Sequence, residues 1–205
     1  MLRRHLVLTP IALAAVLAAA PAYAAATVGQ KAPEFSAVNT LGKMVNLADF
    51  KGKTVVLEWV NPGCPYVRKH YSVGNMQSTQ KEATGSGVVW LAINSTDTGH
   101  ADYLAPAALQ AWMAEQKAPA THTLMDESGK IGQLYAARTT PHMYIVSPQG
   151  LLVYAGGIDS IASARVDDIK LATNYIKQSL AESQAGKPIS AAVTKPYGCS
   201  VKYKS

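Results

Sequence analysis

Seven residues, Thr54-Val55-Val56-Leu57-Glu58-Trp59-Val60, run almost unbroken as apolar side chains and stop at Asn61-Pro62-Gly63-Cys64-Pro65. A short run rich in β-branched and aromatic residues, closed by Pro and Gly, reads as a strand covered on both faces. The segment from Pro65 reads as a helix. Proline suits the first helical position, and Val67, Tyr71 and Met76 recur as its apolar residues. A second run of the same kind, Val88-Val89-Trp90-Leu91-Ala92-Ile93, needs covering layers of its own. Buried strands alternating with helices restrict the chain to an α/β fold with a central mixed sheet flanked by helices.

The same junction places Cys64 where a helix N-terminus presents free N–H groups and the positive end of its dipole. Both favour thiolate over thiol, and the thiolate is the reactive form. A small buried hydrophobe is the plainer reading of a lone cysteine. The prolines and glycine around Cys64 argue against it, and an accessible thiol at the mouth of a cleft is expected.

Elsewhere, residues 35–39 and 44–47 flank Leu41-Gly42-Lys43 and predict an N-terminal β-hairpin. Helices are predicted over 65–83, with a kink or break at Ser72-Val73-Gly74-Asn75, and over 106–117, 131–136 and 166–182. Strands are predicted over 121–125, 142–146 and 151–155, the last two joined by Ser147-Pro148-Gln149-Gly150. One domain is expected over 25–184, and residues 185–205, rich in Pro, Gly and Lys, are expected to wrap its surface as a tail.

Residues 1–24 read as a secretory signal: a basic opening at Arg3-Arg4, an apolar stretch over 11–20 and a small-x-small site at Ala22-Tyr23-Ala24. The stretch is short and alanine-rich for a membrane span. Cleavage after Ala24 leaves 181 of the 205 residues, enough for one well-cored domain, and takes the formal charge from +6 to +4 with the loss of Arg3 and Arg4. A secreted protein in the style of a bacterial periplasm is expected, without stable membrane insertion. The remaining Lys and Arg are scattered rather than striped, so no nucleic acid is expected as a partner.

Two cysteines, Cys64 and Cys199, exclude a scaffold of several disulfides. There is no Cys-x-x-Cys-His run and no paired Cys/His spacing for zinc, so neither metal nor cofactor is expected. His70, His100, His122 and His142 are mostly isolated and read as surface or packed histidines.

Three features surround the thiol. Glu58 interrupts an apolar strand six residues before Cys64. A desolvated acid there has a raised pKa and can exchange protons with a thiol. It can equally face solvent or pair with Lys53 or Arg68, because period two does not assign the face. Arg68, at i+4 from Cys64, is a candidate to stabilise the thiolate, or simply part of a solvated helix face. Thr139-Thr140-Pro141 leads directly into a strand, where proline has no ladder hydrogen to give.

Taken in order, Gly29-Gln30-Lys31-Ala32-Pro33-Glu34-Phe35, the strand with Asn61-Pro62-Gly63-Cys64-Pro65-Tyr66-Val67, Thr140-Pro141 and the ending Lys195-Pro196-Tyr197-Gly198-Cys199-Ser200-Val201-Lys202-Tyr203 resemble the thioredoxin-like superfamily, in its redoxin or peroxiredoxin-like branch. The resemblance spans residues 28–204 and implies a thioredoxin-like fold, with Cys64 as nucleophile and Glu58 as the buried acid serving proton transfer. It implies that Pro141 is a cis-proline facing the thiol. Thr140, Pro141, Pro65 and Tyr66 would then form the substrate platform, with Thr140 pairing its backbone to an extended segment. Two departures matter. Val67 stands where the second cysteine of Cys-x-x-Cys belongs, so the local resolving thiol is missing. A peroxiredoxin would carry its peroxidatic cysteine at that same place and an arginine where Pro141 stands. Redoxins that carry metal place a second cysteine where Arg68 is found.

A mixed disulfide on Cys64 needs a second thiol for its release, and within the resemblance Cys199 is the intramolecular candidate. An unpaired or intermolecular Cys199 stays open. The activity implied is thiol–disulfide exchange with protein or small-molecule partners. The alternatives are a peroxide-reducing antioxidant enzyme and a binding module in which Cys64–Cys199 is a permanent staple.

Overall fold

The computed structural model describes residues 26–204, and the signal reading over 1–24 falls outside them. In chain order the elements begin with β1 (Ser36–Asn39), β2 (Met44–Asn46), β3 (Val55–Trp59), α1 (Pro65–Ser72), α2 (Asn75–Gly85), β4 (Val89–Asn94) and α3 (Pro106–Glu115). They continue with β5 (His122–Met125), α4 (Lys130–Leu134), β6 (Thr139–Thr140), β7 (His142–Val146), β8 (Leu152–Gly156), α5 (Tyr175–Gln184) and β9 (Cys199–Ser200). Seven strands form one sheet in the order β2-β1-β5-β4-β3-β7-β8. β3 runs parallel to β4 and antiparallel to β7, so the sheet is mixed. The N-terminal hairpin continues this sheet through β1 and β5 rather than standing apart from it. The fold is α/β and thioredoxin-like.

Strand alternation explains the unbroken apolar runs. Leu57 and Trp59 of β3 pack on one face with Phe35, Leu91, Tyr135 and Tyr144. Val56, with Val60 just beyond the strand, packs on the other among Val67, Tyr71, Met76, Trp90 and Ile145. Each central strand therefore needs apolar residues at nearly every position, and helices α1, α2 and α5 cover the second face.

The predicted 65–83 helix is two helices. Gly74, at φ 75°, takes the left-handed conformation that ends α1 and starts α2. The predicted 166–182 helix is also divided, into a 3₁₀ turn over Val166–Lys170 and then α5. Asn174 opens the second piece, its side chain accepting from the N–H groups of Ile176 (3.1 Å) and Lys177 (3.0 Å).

The tail is built into the domain. The backbone N–H of Thr194 donates to Ala155 O at 3.1 Å, and Thr194 Oγ1 accepts from Gly157 N at 3.0 Å. β9 pairs with β6, and Val201 N donates to Arg138 O at 3.1 Å. Tyr203 Oη then donates to Ala137 O at 2.7 Å. Three glycines of the body, Gly129, Gly132 and Gly156, make room for this strap. A Cβ on Gly132 would meet the Tyr203 ring at 2.6 Å, and one on Gly156 would meet Thr194, including its backbone O at 2.7 Å. Gly156→Ala is therefore expected to cost about 1–3 kcal/mol and to speed chymotryptic cleavage after Tyr197. Urea denaturation and a digestion time course check this, and a variant matching the parent in both would mean the tail does not pack this closely.

Candidate active site

Cys64 is the N-cap of α1, with Pro65 at the first helical position. The turn before it is braced from several sides. Asn61 Oδ1 accepts from Gly63 N at 2.7 Å, and Cys64 N donates to Asn61 O at 3.0 Å. Asn61 Nδ2 donates to Thr96 Oγ1 at 3.2 Å. A Cβ on Gly63 would lie 2.8 Å from Asp102 Cγ, so a side chain there would have to push the Asp102 carboxylate aside. Local sequence thus aims the sulfur into the space beside the loop ahead of β7.

Two groups meet it there. The Cys64 thiol lies 3.0 Å from Thr140 O, to which it donates when protonated. The Thr140–Pro141 peptide is cis. Cys199 Sγ lies 2.7 Å from Cys64 Sγ, and both cysteines are free thiols. Antiparallel pairing of Thr140 with Cys199 holds that arrangement. The expectation of an exposed thiol is corrected: Cys64 is 2% exposed, and the segment that covers it is the chain's own tail. Cys199 is half-buried.

The two sulfurs are driven in opposite directions. Burial is the largest influence on Cys64 and pushes its thiol up. Contacts with Cys199 and Thr140, and the backbone N–H groups of Val67 and Cys199, outweigh it and leave the thiol below its ordinary value. Cys199 is pushed up to about 11, first by burial and then by the hydrogen bond and charge of Cys64, with Lys202 opposing and Asp102 adding to the rise. Of the two, Cys64 is therefore the sulfur that ionises first, and Cys199 is the one that keeps its proton longer.

Glu58 faces the helices and is fully buried. It accepts from Tyr71 Oη (2.9 Å), Gln80 Nε2 (3.0 Å) and Trp90 Nε1 (2.8 Å), and it bonds to neither sulfur. Burial raises its pKa, and these three hydrogen bonds pull it part of the way back. A pairing with Lys53 or Arg68 is not what the structure has. Arg68 is exposed, and its Nε donates to Pro62 O at 2.8 Å. It braces the turn that presents Cys64, and it is not among the groups that lower the thiol. Pro65 is exposed, and the Tyr66 ring stands 5.9 Å from that of Tyr197 in the tail. The backbone edge of Thr140, expected to receive a substrate segment, is occupied by Cys199.

His142 is buried and accepts from Arg138 N at 3.2 Å; burial brings it down to about 4, with Arg138 adding to the fall. His70 is likewise held at about 4 by burial, with Asp159 opposing and Lys69 adding to the fall. Sequence reasoning missed the companions of His70, namely Lys69, Asp159 and Tyr197, which meet in a buried cluster beneath the tail. The available signal was Lys69-His70 standing between Val67 and Tyr71, the apolar residues that mark the buried side of the helix. Among the described residues, no group of three or more His, Cys, Asp or Glu could hold a metal ion, and no helix is long and apolar enough to cross a membrane.

Comparison with known proteins places this geometry. A hypothetical protein of Sinorhizobium meliloti 1021 superposes with a TM-score of 0.74 at 20% identity, over 89% of this chain and 97% of that one. An uncharacterized conserved protein of Geobacillus kaustophilus gives 0.73 at 26% identity, over 87% and 93%. The thioredoxin domain of a thiol-disulfide oxidoreductase from Bacteroides vulgatus gives 0.51 at 22% identity, over 71% and 96%, a likeness of fold. No curated protein matches the chain. The model of the AhpC/TSA family matches residues 28–155, a stretch that carries the Cys64 turn, the cis-proline loop and most of the central sheet, and the chain belongs to that family.

Proposed function

We propose that this protein is a secreted thiol–disulfide oxidoreductase, with Cys64 as nucleophile and Cys199 as resolving thiol. The observation that carries the reading is the pair of free cysteine sulfurs 2.7 Å apart beside the Thr140–Pro141 loop. The Cys64 thiolate attacks a substrate disulfide, R–S–S–R′, forming Cys64–S–S–R and releasing R′–S⁻. Cys199 gives its proton to the departing thiolate. It then attacks the Cys64 sulfur and expels R–S⁻, leaving a Cys64–Cys199 disulfide. The reverse sequence oxidises a dithiol partner. Neither direction needs a bound cofactor or metal.

Substrates are protein or small-molecule disulfides. A protein segment that pairs with Thr140 has first to displace Cys199 and Ser200 from that edge. Pro65 and Tyr66 border the same opening and would contact such a segment. Glu58 has no hydrogen bond to either sulfur and so does not relay a proton to them directly. Residues 1–24 serve as the export signal for an oxidising compartment such as a periplasm.

Cys199→Ser tests the assignment. With the resolving step removed, mixed disulfides on Cys64 should accumulate and be released by dithiothreitol, as seen by non-reducing mass spectrometry. A variant that collects none would rule out the exchange cycle.

A second reading rests on the burial of Cys64, which admits a small oxidant more readily than a protein. A hydroperoxide would convert the thiolate to Cys64–SOH with loss of RO⁻, and Cys199 would close the disulfide with loss of water. Stopped-flow oxidation of Cys64 no faster than that of a free thiol would remove this reading. A permanent staple in a binding module is distinguished by potential: below about −300 mV the bridge is structural, and near −200 mV it exchanges.

A further inference from the structure

Cys199 reaches Cys64 from a segment with only two ladder residues, held on its downstream side by Val201 N to Arg138 O and Tyr203 Oη to Ala137 O, which leaves the upstream side to a separate anchor. Two residues upstream, Tyr197 is 8% exposed. Its phenol donates to Asp159 Oδ1, which also accepts from Ile161 N at 3.1 Å. Asn75 Nδ2 lies 2.7 Å from His70 Nδ1 and donates to it, which assigns the ring proton to Nε2, 3.2 Å from Tyr197 Oη. The chain of donors therefore runs Asn75, His70, Tyr197, Asp159. Lys69 completes the cluster. Its Nζ is 3.5 Å from Asp159 Oδ2 and 3.4 Å from Ile161 O, and stands 5.5 Å above the centre of the Tyr197 ring. Lys69 and Asp159 side chains are 0% and 3% exposed.

Tyr66, Lys69 and His70 all lie on α1, the helix that Cys64 caps. The nucleophile and the anchor of its partner therefore share one rigid element. Between anchor and thiol stands Gly198 at φ 140°, where a Cβ would collide with Thr140 O. Only glycine lets the chain turn from the anchored phenol into the β6–β9 pairing.

We propose that Tyr197, locked by Asp159 and His70, is the positioning residue that presents Cys199 to Cys64 and sets the effective concentration of the resolving thiol. This rests on the exchange reading above. The quantity to measure is the equilibrium of the full chain with glutathione: dithiol protein plus glutathione disulfide gives Cys64–Cys199 disulfide plus two glutathione thiols. Two chain sulfurs are oxidised, one disulfide is reduced, and both protons pass to glutathione.

Tyr197→Phe keeps the ring and removes the hydroxyl that bonds to a buried carboxylate. The equilibrium constant should fall by about tenfold or more, and alkylation of Cys64 by iodoacetamide should speed up as its cover loosens. A purely structural role would weaken the reduced and oxidised forms alike and leave the constant unchanged. A constant within threefold of the parent therefore overturns the proposal. A parent that forms no Cys64–Cys199 disulfide at all overturns the exchange reading instead. Should Tyr197→Phe fail to fold, Asn75→Ala removes the donor that sets the His70 tautomer from outside the anchor. A threefold or greater fall then supports the proposal, and an unchanged constant overturns it.

Discussion

Cys64→Ser is expected to lower the rate of disulfide exchange by ~10³-fold or more, because the sulfur that remains is a poor nucleophile at neutral pH. Cys199 is pushed up to about 11 in the intact pair. A thiol at that value is on the order of 10⁻⁴ ionised at pH 7. Removing Cys64 relieves the hydrogen bond and charge that add to this rise, but burial, the larger cause, stays. The variant should remain folded, since serine keeps the N-cap and can still donate to Thr140 O. Exchange with a small aromatic disulfide, followed by the colour of the released thiol, measures the effect. A loss of less than tenfold would mean that Cys199 carries the chemistry.

Glu58→Ala should produce the largest stability loss, about 3–5 kcal/mol. Tyr71 Oη, Gln80 Nε2 and Trp90 Nε1 all lose their acceptor inside a closed core, and the missing side chain leaves a void. Glu58→Gln separates charge from shape. Burial raises Glu58 above the 4.5 it has when exposed, so the folded chain holds this proton more tightly than the unfolded one. The stability this contributes is fully present below pH 4.5 and is lost as pH rises through the folded value. The glutamine variant lacks that component. Its stability should decline less than that of the parent as pH rises above 4.5 in urea titrations. Parallel pH profiles for the two proteins would show that Glu58 keeps an ordinary pKa despite its burial.

The central strands were legible because their signal is local. Val55 to Trp59 and Val89 to Ile93 face core on both sides, and a strand in that position needs an apolar residue at nearly every step. The turn holding Cys64 was equally legible, since Pro-Gly-Cys-Pro punctuates the chain with its own backbone preferences. The end of the chain was less so. Leu171 lies 79% exposed in the middle of a segment whose spacing reads as one helix, and the capping side chain of Asn174 decided where the helix starts.

At the site, the sequence supplied the thiol, the acid and the proline but not their surroundings. Which face Glu58 takes depends on whether Trp90 and Gln80 arrive beneath it, from 32 and 22 residues away. Arg68 has helical spacing to Cys64, yet Pro62 O lies within reach and claims it. Tyr197 looked like one more residue of a surface tail.

The residues themselves determined that a strand would deliver a cysteine to a helix start, because backbone preference and apolar period act between near neighbours. Only the tertiary structure decided that this cysteine is roofed by a thiol 135 positions away, and that a buried phenol holds the roof in place. Such contacts depend on how distant segments pack around a shared core, and no pattern within either segment encodes the distance between them.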